Sequence, residues 1–344
     1  QYCEKIESAG GMSDRQYQLY ARHDHDRTPQ ELFDNPEATE VVPTILEIYF
    51  NNVCNMACLY CGSWFSTKWE EENRRFGKFD QGRVQFGFDK KWNDNYDQML
   101  ADFWKYLHDK DRYQHIRYYQ ILGGEPFYQP EFETSIKFWE EHPNPELTFN
   151  MITNLKVAPK KFRSYIDRFE AMVHTGALKR LQITGSIDAW GAQEEYVRWG
   201  LDLDEWTENW EYLLDKDWVV MCVNSAISAL TIKTADELVR RINAWNDRRN
   251  PWNPISYSFM SVMTPPEMVP ATVFWNTVIV SIALLTAAHT PLFTFQTRTL
   301  LSKLPEMTRE LSQLNTTLVT RDVCPSRVFT HTPLDNDHNR IVLS

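Results

Sequence analysis

The sequence predicts an α/β fold, a partial (β/α)6 barrel of TIM-like type, and three observations predict it. Six short runs rich in β-branched, aliphatic and aromatic residues recur between residues 44 and 266. Helical apolar spacing falls between several of them, the alternation expected of a parallel sheet with crossover helices. Most of the runs end in a small polar cluster, and the C-terminal ends of strands are the rim on which such barrels build their sites. Six strand-and-helix units fit a partial barrel better than a closed eightfold one, and 344 residues leave room for flanking elements. The expected division is an N-terminal extension over 1–42, the barrel over 43–266 and a C-terminal helical or auxiliary segment over 267–344.

Residues 1–42 are polar and rich in charge. The first strand is read at Thr44–Phe50, with Ile45, Glu47 and Tyr49 on one side and Leu46, Ile48 and Phe50 on the other; it empties through Asn51-Asn52 into a loop. Over 97–107, Met99, Leu100, Phe103, Trp104 and Leu107 recur at helical spacing, which predicts an outer helix packed on the barrel. Tyr118–Leu122 is a second strand running straight into Gly123-Gly124-Glu125-Pro126. Two glycines let backbone approach a ligand closely, and the proline sets the exit.

The third strand, 147–154, ends in Thr153-Asn154 and is followed by helical patterning over 161–173. A fourth covers 181–188. The fifth, 218–226, is nearly continuous in apolar residues, as when both sheet faces are covered, so Cys222 within it is expected as a small buried hydrophobe. The sixth covers 255–262. The remaining segment fits least well: Met268 to Thr297 contains no Asp, Glu, Lys or Arg, and 271–288 is long enough to raise a membrane helix. Asn276, the Ser and Thr residues and the flanking prolines favour a helix buried against the barrel instead.

Composition narrows the function classes. A net charge of −11 argues against a nucleic-acid partner, because phosphate binding needs a basic face. Aromatics make up 14% of the chain, with 13 Trp, which implies a substantial core or a ring-lined cleft. Six cysteines, half of them in one cluster, and no recognisable secretory leader favour a reducing cytoplasm.

Cys54, Cys58 and Cys61 lie within eight residues on the loop after the first strand. Soft thiolates so close together suit Fe–S clusters, Zn or Cu(I) over hard cations. Structural zinc usually takes four ligands in paired short spacings, and no second Cys-x-x-Cys or His-x-x-x-His follows within reach. A cluster held by three cysteines leaves one iron without a protein ligand, an arrangement open to a reacting small molecule. A zinc knuckle and unrelated thiols are the alternatives.

The pattern Cys54-x-x-x-Cys58-x-Tyr60-Cys61 after a first strand resembles the signature of the radical S-adenosylmethionine enzymes. Gly62–Trp69 resembles the continuation of that loop, and the lead-in Cys3-Glu4, Gly10-Gly11, Ser13-x-Arg15 resembles the twitch or SPASM-like subgroup. The resemblance runs from residue 1 to about 266 and is strongest at 44–69 and 123–126. It implies that Cys54, Cys58 and Cys61 hold a 4Fe–4S cluster whose open iron chelates S-adenosylmethionine, and that one electron cleaves the cofactor to a 5′-deoxyadenosyl radical. It further implies Tyr60 near the adenine; Gly123, Gly124 and Glu125 on the amino group; and Asn154 and Ser186 near the ribose. Asp188 is then near substrate or cofactor, and Arg198, in Tyr196-x-Arg198-x-Gly200, meets the cofactor carboxylate, a role its bidentate fork suits.

An auxiliary iron–sulfur cluster would draw on Cys3 and Cys324, too few to ligate one fully within this chain. The expected function is therefore hydrogen abstraction from an unidentified substrate, peptides being a common class among such relatives, with a reduced flavodoxin or ferredoxin type of electron donor. The competing reading is a non-catalytic iron–sulfur or zinc-binding interaction protein with a degenerate version of the fold. A membrane-tethered redox carrier would rest on 268–297 alone.

Overall fold

The computed structural model describes residues 42–77 and 95–262, together with Glu7, Ser8, Asp34, Asn35 and Glu37. Six strands, β1 (Ile45–Tyr49), β2 (Tyr118–Leu122), β3 (Asn144–Thr153), β4 (Leu178–Ser186), β5 (Val219–Ile227) and β6 (Ser256–Ser261), form one sheet in sequence order. Every neighbouring pair is parallel. Among the described residues β1 and β6 do not pair with each other, so the sheet is an open α/β barrel rather than a closed one. Parallel pairing puts all six C-terminal strand ends on one side, and every predicted site residue between 54 and 198 follows or lies near such an end.

Helices cover the outer face: α1 (Thr67–Phe76), α2 (Tyr96–Leu107), α3 (Lys110–Tyr113), α4 (Pro130–Glu141), α5 (Pro159–His174), α6 (Ala192–Val197), α7 (Leu203–Tyr212) and α8 (Ala235–Asn246). The helices predicted over 97–107 and 161–173 are α2 and α5, longer by one to two residues at an end. Pro at the first turn of α4 and α5 sets φ for helix entry where the missing N–H costs nothing. The aromatic excess fills the layer between sheet and helices. Trp139, Trp206 and Trp210 are fully buried, the last two stacked one helical turn apart with centroids at 5.1 Å.

β3 and β4 begin three residues before their predicted starts. Pro145 hides the beginning of β3 in the sequence, but the register slips between Asn144 and Thr148 and takes the proline into that irregularity. Asn144 secures the entry, its Nδ2 donating to the carbonyls of Tyr113 and Ile116 at 2.8 Å each. The fifth strand also departs from expectation: burial alternates along β5, with Val219, Met221, Val223 and Ile227 against the helices. Cys222 is half-buried on the opposite, inner face, so it is not the core hydrophobe its apolar neighbours suggest.

Just past β3, Leu155 adopts φ 54°, a left-handed backbone rare for a branched residue. Asn209 of α7 holds it there, donating to the carbonyls of Leu155 at 3.0 Å and Val157 at 2.6 Å. The turn leaves Asn154 at the rim. Among the described residues no helix is long and apolar enough to cross a membrane. The extension with Cys3, the uncharged stretch 268–297 and Cys324 lie outside the described residues, as do the expectations attached to them.

Candidate functional site

The loop after β1 is tied down almost residue by residue, which sequence local to the loop explains. Asn51 Oδ1 accepts from Val53 N at 3.0 Å, an Asx turn that swings the chain off the strand. Asn52 Nδ2 donates to the Ser63 carbonyl and to Glu70, each at 2.8 Å, closing the base of the loop. Ser66 caps α1 by accepting from Trp69 N at 3.2 Å, and its own hydroxyl donates to the Met56 carbonyl at 2.5 Å. Thr67 Oγ1 lies 3.2 Å from both the amide and the carbonyl of Cys54, and the Trp69 indole N–H donates to the Cys58 carbonyl at 2.8 Å. Two backbone bonds from Ala57 and Leu59 to Trp199 and Val197 hold the loop against α6 and the turn after it.

Cys54, Cys58 and Cys61 are half-buried and in no disulfide. Burial raises all three thiols, Cys54 up to about 12; the charges of Glu125 and Cys61 add to the rise at Cys54 and those of Cys61 and Cys54 at Cys58, while the Arg198 guanidinium opposes it at Cys58 and Cys61. A bare thiolate is thus disfavoured at each position. Among the described residues no three His, Cys, Asp or Glu side chains are gathered tightly enough to hold a single metal ion.

The turn after β2 packs directly on this loop. Gly123 and Gly124 have φ 76° and 53°, and a Cβ on Gly124 would stand 2.3 Å from the Val53 carbonyl oxygen. Glu125 N donates to that same oxygen at 2.7 Å. The Glu125 side chain turns inward: fully buried, its carboxylate accepts from Thr153 Oγ1 and Asn154 N at 2.7 Å each, and from Phe127 N at 3.4 Å. It therefore joins the ends of β2 and β3, leaving the backbone of Gly123 and Gly124 as the turn's outer edge. Asn154 Nδ2 reaches Asn55 Oδ1 at 3.0 Å and lies 3.9 Å from Cys54 Sγ, which places it beside the cysteines.

Desolvation lifts the Glu125 carboxyl from 4.5 to about 7 against the pull of its three hydrogen bonds. The folded state thus binds this proton more tightly than the unfolded chain does. Stability from the protonated group is complete below its unfolded value of 4.5 and is lost as pH rises through about 7. Urea midpoints should fall between about pH 5 and about pH 8 by up to roughly 3 kcal/mol of stability in the native protein, with a flatter slope in Glu125→Gln. Parallel slopes in the two proteins would refute the assignment.

At the end of β4, Asp188 is fully buried and gathers four donors. Tyr60 Oη donates at 2.5 Å, Arg198 Nη2 at 2.7 Å and Nε at 3.1 Å, and Ala226 N at 2.7 Å. The Arg198 fork is thus directed at Asp188 and, at 3.2 Å, at Glu194. Glu194, also fully buried, accepts from the amides of Asp188 and Ala189; burial and the Asp188 charge raise its carboxyl. Burial also raises the Tyr60 hydroxyl, opposed by Arg198, whose guanidinium lies 5.7 Å from the Tyr60 ring centre.

Tyr60, Asp188 and Arg198 thus form one unit under the third cysteine, and Cys54, Gly123, Gly124, Glu125 and Asn154 form another. Ser186 stays half-buried at the end of β4, its closest tie being register with Asn224 of β5. Sequence reading missed Glu194, although its place four residues before Arg198 on a helix is a signal for an ion pair. Trp69, which holds the Cys58 carbonyl, carried no signal beyond the likeness of its segment.

No family model matches the chain, and no curated protein matches it. Among solved structures it is similar to SuiB of Streptococcus suis bound to S-adenosylmethionine, at 16% identity and a TM-score of 0.49, over 88% of this chain and 61% of that one. It is similar to SuiB bound to the precursor peptide SuiA at 12% identity and a TM-score of 0.43, over 75% and 50% of the two chains. For anSMEcpe with AdoMet and the Kp18Cys peptide the values are 11% and 0.42, over 77% and 66%. The chain spans about three fifths of the length of S-adenosylmethionine-bound SuiB.

Proposed function

We propose that the chain is a radical S-adenosylmethionine enzyme, with Cys54, Cys58 and Cys61 as ligands of a 4Fe–4S cluster, Gly123, Gly124 and Asn154 as residues that border S-adenosylmethionine, and Glu125 and Arg198 as residues that position the cofactor rim through their buried partners. The observation that carries this reading is the junction of the two loops: Glu125 N bonds the carbonyl of Val53, the residue before the first cysteine, and Gly124 leaves no space for a side chain between them. A backbone edge that carries no side chain thereby abuts the residue before the first of the three cysteines. The donor set fits the cluster, since three soft sulfur ligands prefer such a centre and buried thiols need nearby positive charge to ionise.

When bound, the cluster would supply the one electron that cleaves S-adenosylmethionine to a 5′-deoxyadenosyl radical able to take a hydrogen atom from the substrate. The chain's own residues position and shield. Thr67 and Trp69 fix the backbone of Cys54 and Cys58, and Asn154 and Asn55 brace the β3 side. Asp188, clamped by Arg198 and by the Ala226 amide, fixes Tyr60 through its hydroxyl. Ser186 belongs to the cofactor side of the rim, Cys3 and Cys324 to an auxiliary cluster, and a flavodoxin or ferredoxin type of protein to the supply of electrons. The substrate is an unidentified molecule, with peptides as the class to test first.

Anaerobic reconstitution with iron and sulfide, then reduction in the presence of S-adenosylmethionine, is expected to release 5′-deoxyadenosine. Cys58→Ala should reduce that release to background. A colourless protein that retains zinc and yields no nucleoside would overturn the proposal.

A further inference from the structure

The inner face of the barrel is polar where side chains of Val, Ile and Leu ordinarily fill such an interior. At the rim, Ser186, Asn224 and Ser258 occupy one register row across β4, β5 and β6. One row deeper, Thr184, Cys222 and Ser256 are paired across the same strands. A third row runs from Glu47 through Gln120 and Asn150 to Gln182, one position on each of β1 to β4. Ser186 and Gln182 are four residues apart on one strand, so this polar track descends about 13 Å from the rim.

Its floor contains an unmet demand. Asn150 is 2% exposed; its Nδ2 donates to Tyr118 Oη at 2.6 Å, but its Oδ1 has no partner. Buried amide carbonyls are nearly always satisfied by protein or ordered solvent. The Tyr118 phenol lies among Glu47, Asn150, Gln182 and Cys222, each of which bears on its ionisation, so these side chains surround one point on the inner face. Glu47, Tyr118, Gln182 and Cys222 are only half-buried, so the side chains around that point can yield to an entering group, although Oδ1 itself is closed to solvent. The carboxylate of Glu47 makes the surroundings negative, suited to a donor and not to an acceptor.

We infer that this track binds an elongated polar ligand that enters from the rim, with a primary amine seated on Asn150 Oδ1 near Glu47. The inference names the substrate class of the site proposed above and rests on that reading; the recognition itself requires no turnover. One end of such a ligand would sit on Asn150 while the rest lies along the rows leading up to the rim.

The test is binding of 6-aminohexanamide, compared with hexanamide, to the full chain by saturation-transfer and amide-resolved NMR. The amine-bearing probe is expected to bind at least tenfold more tightly and to shift the Asn150 side-chain amide signals. Asn150→Leu, near in shape but without the acceptor, should bring the two probes level, and Glu47→Gln, the same size without the charge at a half-buried position, should weaken the amine probe at least threefold. Equal affinity for both probes, or a preference unchanged in Glu47→Gln, overturns the inference. Absence of 5′-deoxyadenosine with the preference intact would instead sink the proposed chemistry and leave the donor site standing.

Discussion

Arg198→Met is expected to lower the stability of the protein by roughly 3–5 kcal/mol, read as a fall in the urea midpoint. Asp188 and Glu194 are both fully buried, and the guanidinium lies 2.7 Å from one and 3.2 Å from the other. Removing it leaves negative charge in a region without solvent, which costs more than the pair ever gained by forming. The double variant Arg198→Met/Asp188→Asn should recover much of the loss, because the amide oxygen can still accept from Ala226 N while its NH2 donates to the Tyr60 hydroxyl, and the side chain carries no charge. If single and double variants unfold at the same midpoint, the charge is not what the arginine is there to offset.

Gly124→Ala should have the second large effect. The substitution strains a backbone at φ 53°, and its methyl would meet the Val53 carbonyl oxygen at 2.3 Å and the carbonyl carbons of Asn52 and Val53 at 3.0 Å. All three atoms are backbone, so relief requires the cysteine loop to move away from the turn. Gly176 provides the comparison: its φ is 74°, and an added Cβ would meet nothing within 4 Å. Gly176→Ala therefore carries the left-handed penalty alone, about 1 kcal/mol, and Gly124→Ala should exceed it by about 2 kcal/mol or more. Release of 5′-deoxyadenosine should survive in Gly176→Ala and fail in Gly124→Ala. Equal destabilisation would mean that the two loops are not in the contact described.

Several predicted residues occupy places that change what they can do. Glu125 and Arg198, both assigned to the cofactor by likeness to a family pattern, direct their charged groups at Thr153 and Asn154 in one case and at Asp188 and Glu194 in the other. Each acts through what it fixes: Glu125 ties the ends of β2 and β3, and Arg198 holds the Asp188 carboxylate to which Tyr60 donates. The strand ends themselves were readable, because Gly-Gly, Asn-Asn and Thr-Asn after a β-rich run are short-range turn signals. Residues such as Glu194 and Trp69 act on partners that only the assembled rim brings near.

The sequence by itself determined the six strands, the order of loops along the chain and the three thiols after the first strand, since each depends on spacing within a few residues. Only the tertiary structure decided which side of each strand faces inward, that Cys222 and Asn150 look into the barrel, and that Gly124 abuts Val53. Those outcomes depend on the register between residues as far apart in the chain as Glu47↔Gln120 and Tyr49↔Leu122, 73 positions each at the β1–β2 seam, and a shift of one residue would exchange the two faces of a whole strand.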